Sequence, residues 1–261
     1  MLNKKVALVT GGGEGIGRGI AEAFVQQGIR VAVCGRRVLP LDDTVHILRS
    51  MGGEALAVPA DVTKRADIHR MVTAIVNDWG QIDILVNNAG MSGRTPMDDQ
   101  DDTRWMKILQ VNLTGSYLCT KMVLPYMKDP SFGRIINLSS VLGRFGVPGY
   151  AAYCTAKHGI LGFTKAVALE VAGKGITVNA ICPTWVDTAM ARLGMEETSS
   201  VLGLSPDTFR EMAVAAVPIK RMAEVKEIAA LAVFLCGEKA AAITGQAINV
   251  CGGATAASNG A

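Results

Sequence analysis

Tyr153 and Lys157 stand four residues apart in a stretch, Tyr150 to Ala172, whose apolar residues recur at helical spacing. Two side chains at that separation rise from the same face of a helix. A phenol ordinarily loses its proton near pH 10, so a tyrosine working as a general base near neutrality needs its anion favoured, at about 1.4 kcal/mol for each tenfold change in its acidity. A lysine one turn away supplies positive charge for that purpose. Ser140, thirteen residues before Tyr153, closes a β-branched run and offers a hydroxyl to an oxygen on which negative charge develops. By strand alternation, Ser139 faces the other way. A Tyr–Lys pair alone is usually a pair of surface neighbours; the order and spacing of the whole set give it weight.

A second group of residues is suited to binding rather than reacting. Directly after an apolar run ending at Thr10 comes Gly11-Gly12-Gly13-Glu14-Gly15-Ile16-Gly17, and helical spacing begins at Ile16. Glycines let the backbone approach a diphosphate, and the start of a helix offers free N–H groups and partial positive charge to meet it. A glycine-rich turn by itself is weak evidence, because plain strand-to-helix turns look alike.

Both groups need a scaffold that brings them together. Seven short β-branched runs recur at steady intervals: Lys5 to Thr10, Ile29 to Cys34, Ala55 to Ala60, Ile82 to Asn87, Arg134 to Ser139, Ile176 to Cys182 and Ala247 to Val250. Between them, Ile16 to Gln27, Ile68 to Asp78, Asp102 to Met127, Tyr150 to Ala172 and Val225 to Leu235 carry helical apolar spacing. Strands alternating with helices mean crossover connections and a parallel sheet. Runs such as Val6-Ala7-Leu8-Val9 are apolar throughout, so helices cover both faces. The expected fold is α/β, a doubly wound, seven-stranded parallel sheet in a single domain spanning residues 1–261. Gly28, Gly80 and the Gly173/Gly175 pair sit where helices stop, as left-handed caps do. Thr184 to Pro218 is the one long stretch without a strand pattern, and such an excursion is usually functional or mobile.

Gly11, Gly15 and Gly17 have GxxxGxG spacing, Asn87-Asn88-Ala89-Gly90 closes the fourth run, and Asn112, Ser140, Tyr153 and Lys157 follow in that order. Together with Asp61 and with Thr244-Gly245-Gln246 before the last strand, the set resembles the short-chain dehydrogenases/reductases over essentially the whole chain. The resemblance implies a Rossmann-type domain, a nicotinamide dinucleotide, and hydride transfer between a carbonyl and an alcohol with Tyr153 as the acid–base group. It implies that Ser140 binds the carbonyl oxygen, Lys157 holds the nicotinamide ribose, and Asn112 anchors a water linking Lys157 to solvent. The positive charge of oxidised nicotinamide would add to that of Lys157 in favouring the tyrosine anion. Cofactor contacts are expected from Gly11, Gly13, Glu14, Gly15, Ile16 and Gly17, and from Arg36, Arg37, Asp61 and Val62. Further contacts are expected from Asn88, Ala89 and Gly90, and from Tyr153, Lys157, Pro183, Val186 and Thr188. Two positions depart from the family pattern: Cys154 replaces the usual small residue after the tyrosine, and Pro183-Thr184 stands where Pro-Gly is common. Trp185 then either lines the pocket or packs under a lid formed by residues 184–218.

Cofactor choice turns on the end of the second strand, about twenty residues beyond the glycine loop, where a carboxylate holds the ribose hydroxyls of NAD. Cys34-Gly35-Arg36-Arg37 has none, so NADP(H) is the expected cofactor and NAD(H) the alternative. Arg36 would grip a 2′-phosphate through its planar fork, while Arg37 adds charge or stacks on adenine. Glu14 argues the other way, because many NADP-using relatives carry a basic residue there. Val217-Pro218-Ile219-Lys220-Arg221 and residues 245–253 are most similar to 3-oxoacyl and polyketide ketoreductases, which favours reduction of a ketone, with an acyl thioester among the candidates. The alternative is a dehydrogenase oxidising a secondary alcohol, polyol or steroid. A non-catalytic binding protein on the same fold would be expected to lack Tyr153 or Lys157. Met190, Leu193, Met195, Val201 and Leu204 are expected to line the lid, and Arg94 and Arg144 either meet an anionic substrate group or are solvated loop charges.

Composition bounds the remaining classes. The 261 residues are 49% hydrophobic with a formal net charge of +3 and no run of five like charges, so nothing points to nucleic acid or an acidic membrane. The first apolar stretch, Val6 to Val9, is too short for a secretory signal or a spanning helix, so a cytoplasmic protein is expected. Six scattered cysteines without a CxxC pair or neighbouring histidines read as small buried hydrophobes, and no metal is expected. The helical stretches 102–127 and 150–172 are apolar on more than one side, at Ala151, Ala166, Val167 and Leu169. The family resemblance makes a homotetramer of dihedral symmetry the expected assembly.

Overall fold

The computed structural model describes residues 2–127 and 132–256. Seven strands, β1 (Val6–Thr10), β2 (Arg30–Gly35), β3 (Ala55–Pro59), β4 (Ile84–Asn87), β5 (Gly133–Leu138), β6 (Ile176–Pro183) and β7 (Ala247–Val250), form one sheet in the order β3-β2-β1-β4-β5-β6-β7. Every pairing is parallel. All the expected strands are present, each within two residues of its expected ends. The helices are α1 (Gly15–Val25), α2 (Val38–Ser50), α3 (Arg65–Trp79), α4 (Thr103–Leu109), α5 (Gly115–Val123), α6 (Ala151–Val171), α7 (Ala189–Leu202), α8 (Pro206–Ala215) and α9 (Val225–Cys236).

The unbroken apolar strands divide their side chains between two cores. From β1, Ala7 and Val9 pack with Phe24 of α1, Leu48 of α2 and Ile228 and Leu235 of α9. Val6 and Leu8 point the other way, into Met71 and Ile75 of α3, Val123 of α5 and Val171 of α6. Each such Leu, Ile, Val or Phe contributes about 1.5–3 kcal/mol by leaving water. All six cysteines are buried and unbonded, as their scattered positions implied. Among the described residues no helix is long and apolar enough to cross a membrane, and no cluster of ligating side chains could hold a metal ion.

β1 pairs with β2 on one side and β4 on the other. The chain therefore winds outward in opposite directions from these two strands, and a crevice opens beyond their C-terminal ends. The loop at 11–15 follows β1 and Asn88 follows β4, so both meet at that crevice.

Three expectations need correction. The stretch 102–127 is not one helix: a π-type turn over Gln110–Thr114 separates α4 from α5, with the Gly115 N–H donating to the Gln110 carbonyl, and a 3-10 turn follows at Leu124–Tyr126. Helices α2, α7 and α8 occupy segments outside those expected to be helical. Gly28, Gly80 and Gly175 do take left-handed φ values of +74°, +81° and +70°, but Gly173 does not, because it lies inside a 3-10 turn that carries the chain on to Gly175.

Candidate active site

The glycine loop is held from β4. Thr10 Oγ1 donates to the Val86 carbonyl at 3.2 Å and accepts from the Asn88 and Ala89 N–H groups at 3.0 Å each. Asn88 Nδ2 donates to the carbonyls of Thr10 (2.9 Å) and Gly11 (3.0 Å). Gly11 adopts φ +64°, and a Cβ on Gly17 would lie 2.2 Å from the Gly11 carbonyl oxygen, so only glycine lets α1 start this close beneath the loop. Glu14 occupies the N-cap of α1 yet makes no side-chain capping bond, which leaves the N–H groups of the first turn to a ligand.

On the opposite wall, Tyr153 and Lys157 rise from α6, as their spacing requires, with the Lys157 ammonium 5.4 Å from the Tyr153 ring centre. Lys157 Nζ donates to the Leu138 carbonyl at 2.7 Å, at the end of β5. Ser139 Oγ donates to the Lys157 carbonyl at 2.9 Å and ties that strand to the helix. Ser140 faces the tyrosine instead: it hydrogen-bonds the Tyr153 hydroxyl and also accepts from the Leu142 N–H at 3.2 Å. Burial pushes Tyr153 up to about 12, and the Ser140 hydrogen bond only partly offsets this. Burial brings Lys157 down to about 8. Desolvation sets the direction of both shifts.

Asn112 sits in the π-type turn and donates from Nδ2 to the carbonyls of Met91 (2.8 Å) and Ile108 (2.9 Å). Its Oδ1 is buried and, among the described residues, has no partner.

One cleft gathers most of the expected residues. Its wall includes Gly11, Gly13, Glu14, Gly15, Ile16, Arg36, Arg37, Asp61 and Val62, then Asn88, Ala89 and Gly90, then Asn112, Tyr153, Lys157, Pro183 and Thr188. Gly17 lies behind the loop, Val186 is buried in the core, and of the two serines after β5 it is Ser139 that borders the wall, contrary to the strand alternation, with Ser140 set behind it toward Tyr153. Burial works to raise the Asp61 pKa, but hydrogen bonds from the Thr63 N–H (2.9 Å) and hydroxyl (2.8 Å) outweigh it and hold the carboxyl below its ordinary value. Sequence reasoning missed Pro40, Leu41 and Val111 on this wall. They are ordinary apolar residues without a motif, and only the crossover geometry brings them there.

In the segment after β6, Thr188 caps α7 through the Ala191 N–H at 3.3 Å and lies beside Gly15 at the edge of the cleft. Trp185 packs edge-on against Phe209 of α8, with ring centres 6.4 Å apart, so it supports the two helices instead of lining the cleft. Of the apolar residues expected to face inward only Met190 reaches the wall; Met195 is buried, and Leu193 and Val201 are exposed. Arg144 donates to the Ala247 carbonyl and so braces β7. Arg94 stacks 5.8 Å from the Tyr150 ring centre.

The wall fits a nicotinamide dinucleotide on its own evidence. The loop has no room for a Cβ at Gly17, the first turn of α1 is uncapped, and a buried amide oxygen at Asn112 waits for a donor. A family model for short chain dehydrogenases matches residues 5–198. The chain belongs to the short-chain dehydrogenase family. As a short-chain dehydrogenase it is an NAD(P)-dependent oxidoreductase acting on CH–OH/C=O pairs. It is 39% identical to D-β-hydroxybutyrate dehydrogenase of Cupriavidus necator, over 97% of this chain and 98% of that one. Among solved structures, it resembles a single-substitution form of actinorhodin polyketide ketoreductase with NADPH, at 42% identity and a TM-score of 0.93, covering 96% of this chain and 97% of that one. It is also similar to NAD+-bound xylitol dehydrogenase, at 32% identity and a TM-score of 0.92, covering 97% and 99%.

Proposed function

We propose that this short-chain dehydrogenase is an NADPH-dependent ketoreductase, reducing a 3-oxoacyl or related ketone to the secondary alcohol. The observation that carries the reading is the convergence of the Ser140 and Tyr153 hydroxyls beside a cleft whose far end presents Arg36. Bound there, reduced nicotinamide supplies the hydride. Tyr153 gives its proton to the carbonyl oxygen, and a phenol pushed up to about 12 is in the donor form throughout the neutral range. Ser140 holds the same oxygen as negative charge develops on it. Lys157 places its positive charge beside the tyrosinate left by that transfer and orients the ribose, while Asn112 Oδ1 accepts from a water in the path between Lys157 and solvent.

Arg36 supports the phosphate-bearing cofactor. It is exposed on the cleft rim, and among the described residues no carboxylate lies within ion-pairing distance of it. Residues 184–218 act as the lid of a single Rossmann-type domain, with α7 and α8 choosing the substrate. The enzyme works in the cytoplasm as a homotetramer: Leu169 (84% exposed) and Ala166 on α6, with Tyr117 on α5, leave an apolar face for a second subunit, whereas Val167 belongs to the chain's own core. The relatives also support an alternative, oxidation of a secondary alcohol or polyol with NAD, since one is a hydroxybutyrate dehydrogenase and another binds NAD+.

Following NADPH and NADH oxidation against β-keto thioesters, diketones, cyclic ketones and keto sugars tests the reading. Turnover of a keto substrate with a higher kcat/KM for NADPH is the expected result. Equal or higher values with NADH, or activity confined to alcohol oxidation, would overturn it.

A further inference from the structure

Glu14 is the one feature of the cleft that argues against a phosphate on the cofactor's ribose, and the structure shows where its charge goes. Its carboxylate reaches across the cleft mouth, and Arg37 Nη2 donates to Oε2 at 2.8 Å. The two residues come from different elements: Glu14 precedes α1, and Arg37 is the residue between β2 and α2. Both line the same cleft as Arg36.

Two properties of the pair separate it from a stabilising contact. Its side chains are 72% and 50% exposed, and exposed ion pairs contribute little to folding. Glu14 also has the extended backbone of an N-cap, φ −154° and ψ 167°, which places its carboxylate within reach of the free N–H groups of the first turn. It makes no bond to them, because the side chain is turned to Arg37. An unpaired carboxylate here would fold back onto the start of α1 and fill the anion site from within.

We propose that Glu14 and Arg37 form a specificity-determining pair, in which Arg37 holds the Glu14 carboxylate away from incoming cofactor phosphates and is itself neutralised, leaving Arg36 as the phosphate ligand. The proposal rests on the NADP(H) reading of the site. Its consequence is that the two residues act on cofactor choice as one unit. Removing the glutamate releases a second arginine and sharpens selection for the 2′-phosphate. Removing the arginine releases a carboxylate that repels it.

Calorimetric titration with 2′,5′-ADP and with 5′-AMP, on the wild type, Glu14→Gln, Arg37→Gln and the double variant, tests this without turnover. The preference for 2′,5′-ADP over 5′-AMP should rise several-fold in Glu14→Gln and fall about tenfold in Arg37→Gln, the scale of a unit charge acting over several ångströms near solvent. In the double variant it should return close to the wild-type value. Fluorescence titration should show NADH also weakened in Arg37→Gln, but only while residue 14 is a glutamate. A loss in Arg37→Gln that is the same with glutamine at position 14 would overturn the proposal and make Arg37 a direct ligand. Arg36→Ala separates the two readings. If it leaves 2′,5′-ADP binding unchanged, the NADP(H) assignment fails, while the dependence of the Arg37→Gln loss on Glu14 still decides the pair.

Discussion

Gly15 and Thr188 meet at one edge of the cleft, and the segments that carry them are built in opposite ways. On the glycine-loop side, backbone meets backbone: Asn88 and Thr10 pin the loop with a set of bonds between 2.9 and 3.2 Å, and α1 presses so close that no side chain fits at Gly17. On the lid side, α8 buries none of its residues, and Leu193, Val201, Leu202 and Met212 face outward. What ties α7 down is one buried face, Ala191, Gly194, Met195 and Ser199, with a few side-chain contacts to the rest of the chain: the Tyr150 hydroxyl with Thr198 Oγ1 at 2.8 Å and Arg104 with Glu197. The glycine loop is locked by close packing, whereas the segment proposed as the lid is anchored through one face of α7 and leaves α8 outside the core.

The sharpest test of the rigid side is chemical. Tyr153→Phe should lower kcat by at least ~100-fold and leave dinucleotide affinity nearly unchanged, because the hydroxyl moves a proton and does little for binding. A variant keeping more than roughly a tenth of the wild-type kcat would remove Tyr153 from the proton transfer. Next in size is Gly17→Ala, whose Cβ must displace the Gly11 carbonyl or Asn88 Nδ2, 2.4 Å away. Thermal melts should show about 1–3 kcal/mol of lost stability, and cofactor titration a large loss of affinity. An alanine tolerated without either change would mean that the loop is as yielding as the lid.

Titration gives a third test. Because burial lowers Lys157 from 10.5 to about 8, the unfolded chain binds more protons than the folded one between those values, and this group makes stability rise with pH across that window. Tyr153 acts oppositely: raised from 10.0 to about 12, it makes stability fall with pH between those values. Urea unfolding of wild type and Lys157→Met should differ in slope from about pH 8 to 10, and identical slopes would show that Lys157 is solvated. The smallest effect belongs to the lid. Tyr150→Phe removes the Thr198 bond and should cost about 0.5–1.5 kcal/mol or less, read as a raised KM for the ketone with the cofactor KM unmoved.

This division also sets what could be read from residues alone. The strands are plain because buried parallel strands are apolar throughout, and the loop and the Ser140, Tyr153 and Lys157 set are plain because their spacing follows from backbone geometry. Helix α2 hid behind Pro40 in its first turn and behind Val38 and Leu39, apolar residues that point outward and blur the periodicity. Helices α7 and α8 hid for the same reason, since Leu193, Val201 and Met212 are exposed. The inward lining expected of Leu193 and Val201 failed there too: hydrophobic character says that a residue is worth covering, not which side of a helix the fold will cover. The Glu14–Arg37 bond was beyond reach because it joins residues whose proximity depends on the β1–β2 register.

The wide turn at Gln110–Thr114 has a consequence for what this chain can tolerate. A π-type turn holds one more residue than an ordinary one, so α5 is rotated by about 100° relative to a continuous extension of α4. That offset lets the same rod serve two clients, with Ile108 and Asn112 addressing the Met91 loop while Thr120 accepts from Asn87 and, through it, reaches Asn137 and Thr164. The extra residue is therefore a local device. Deleting a single position between 110 and 114 would let the turn close into ordinary helix and leave α5 facing the same neighbours, so the injury would fall on Asn112, whose side chain would no longer be carried to the Met91 and Ile108 carbonyls.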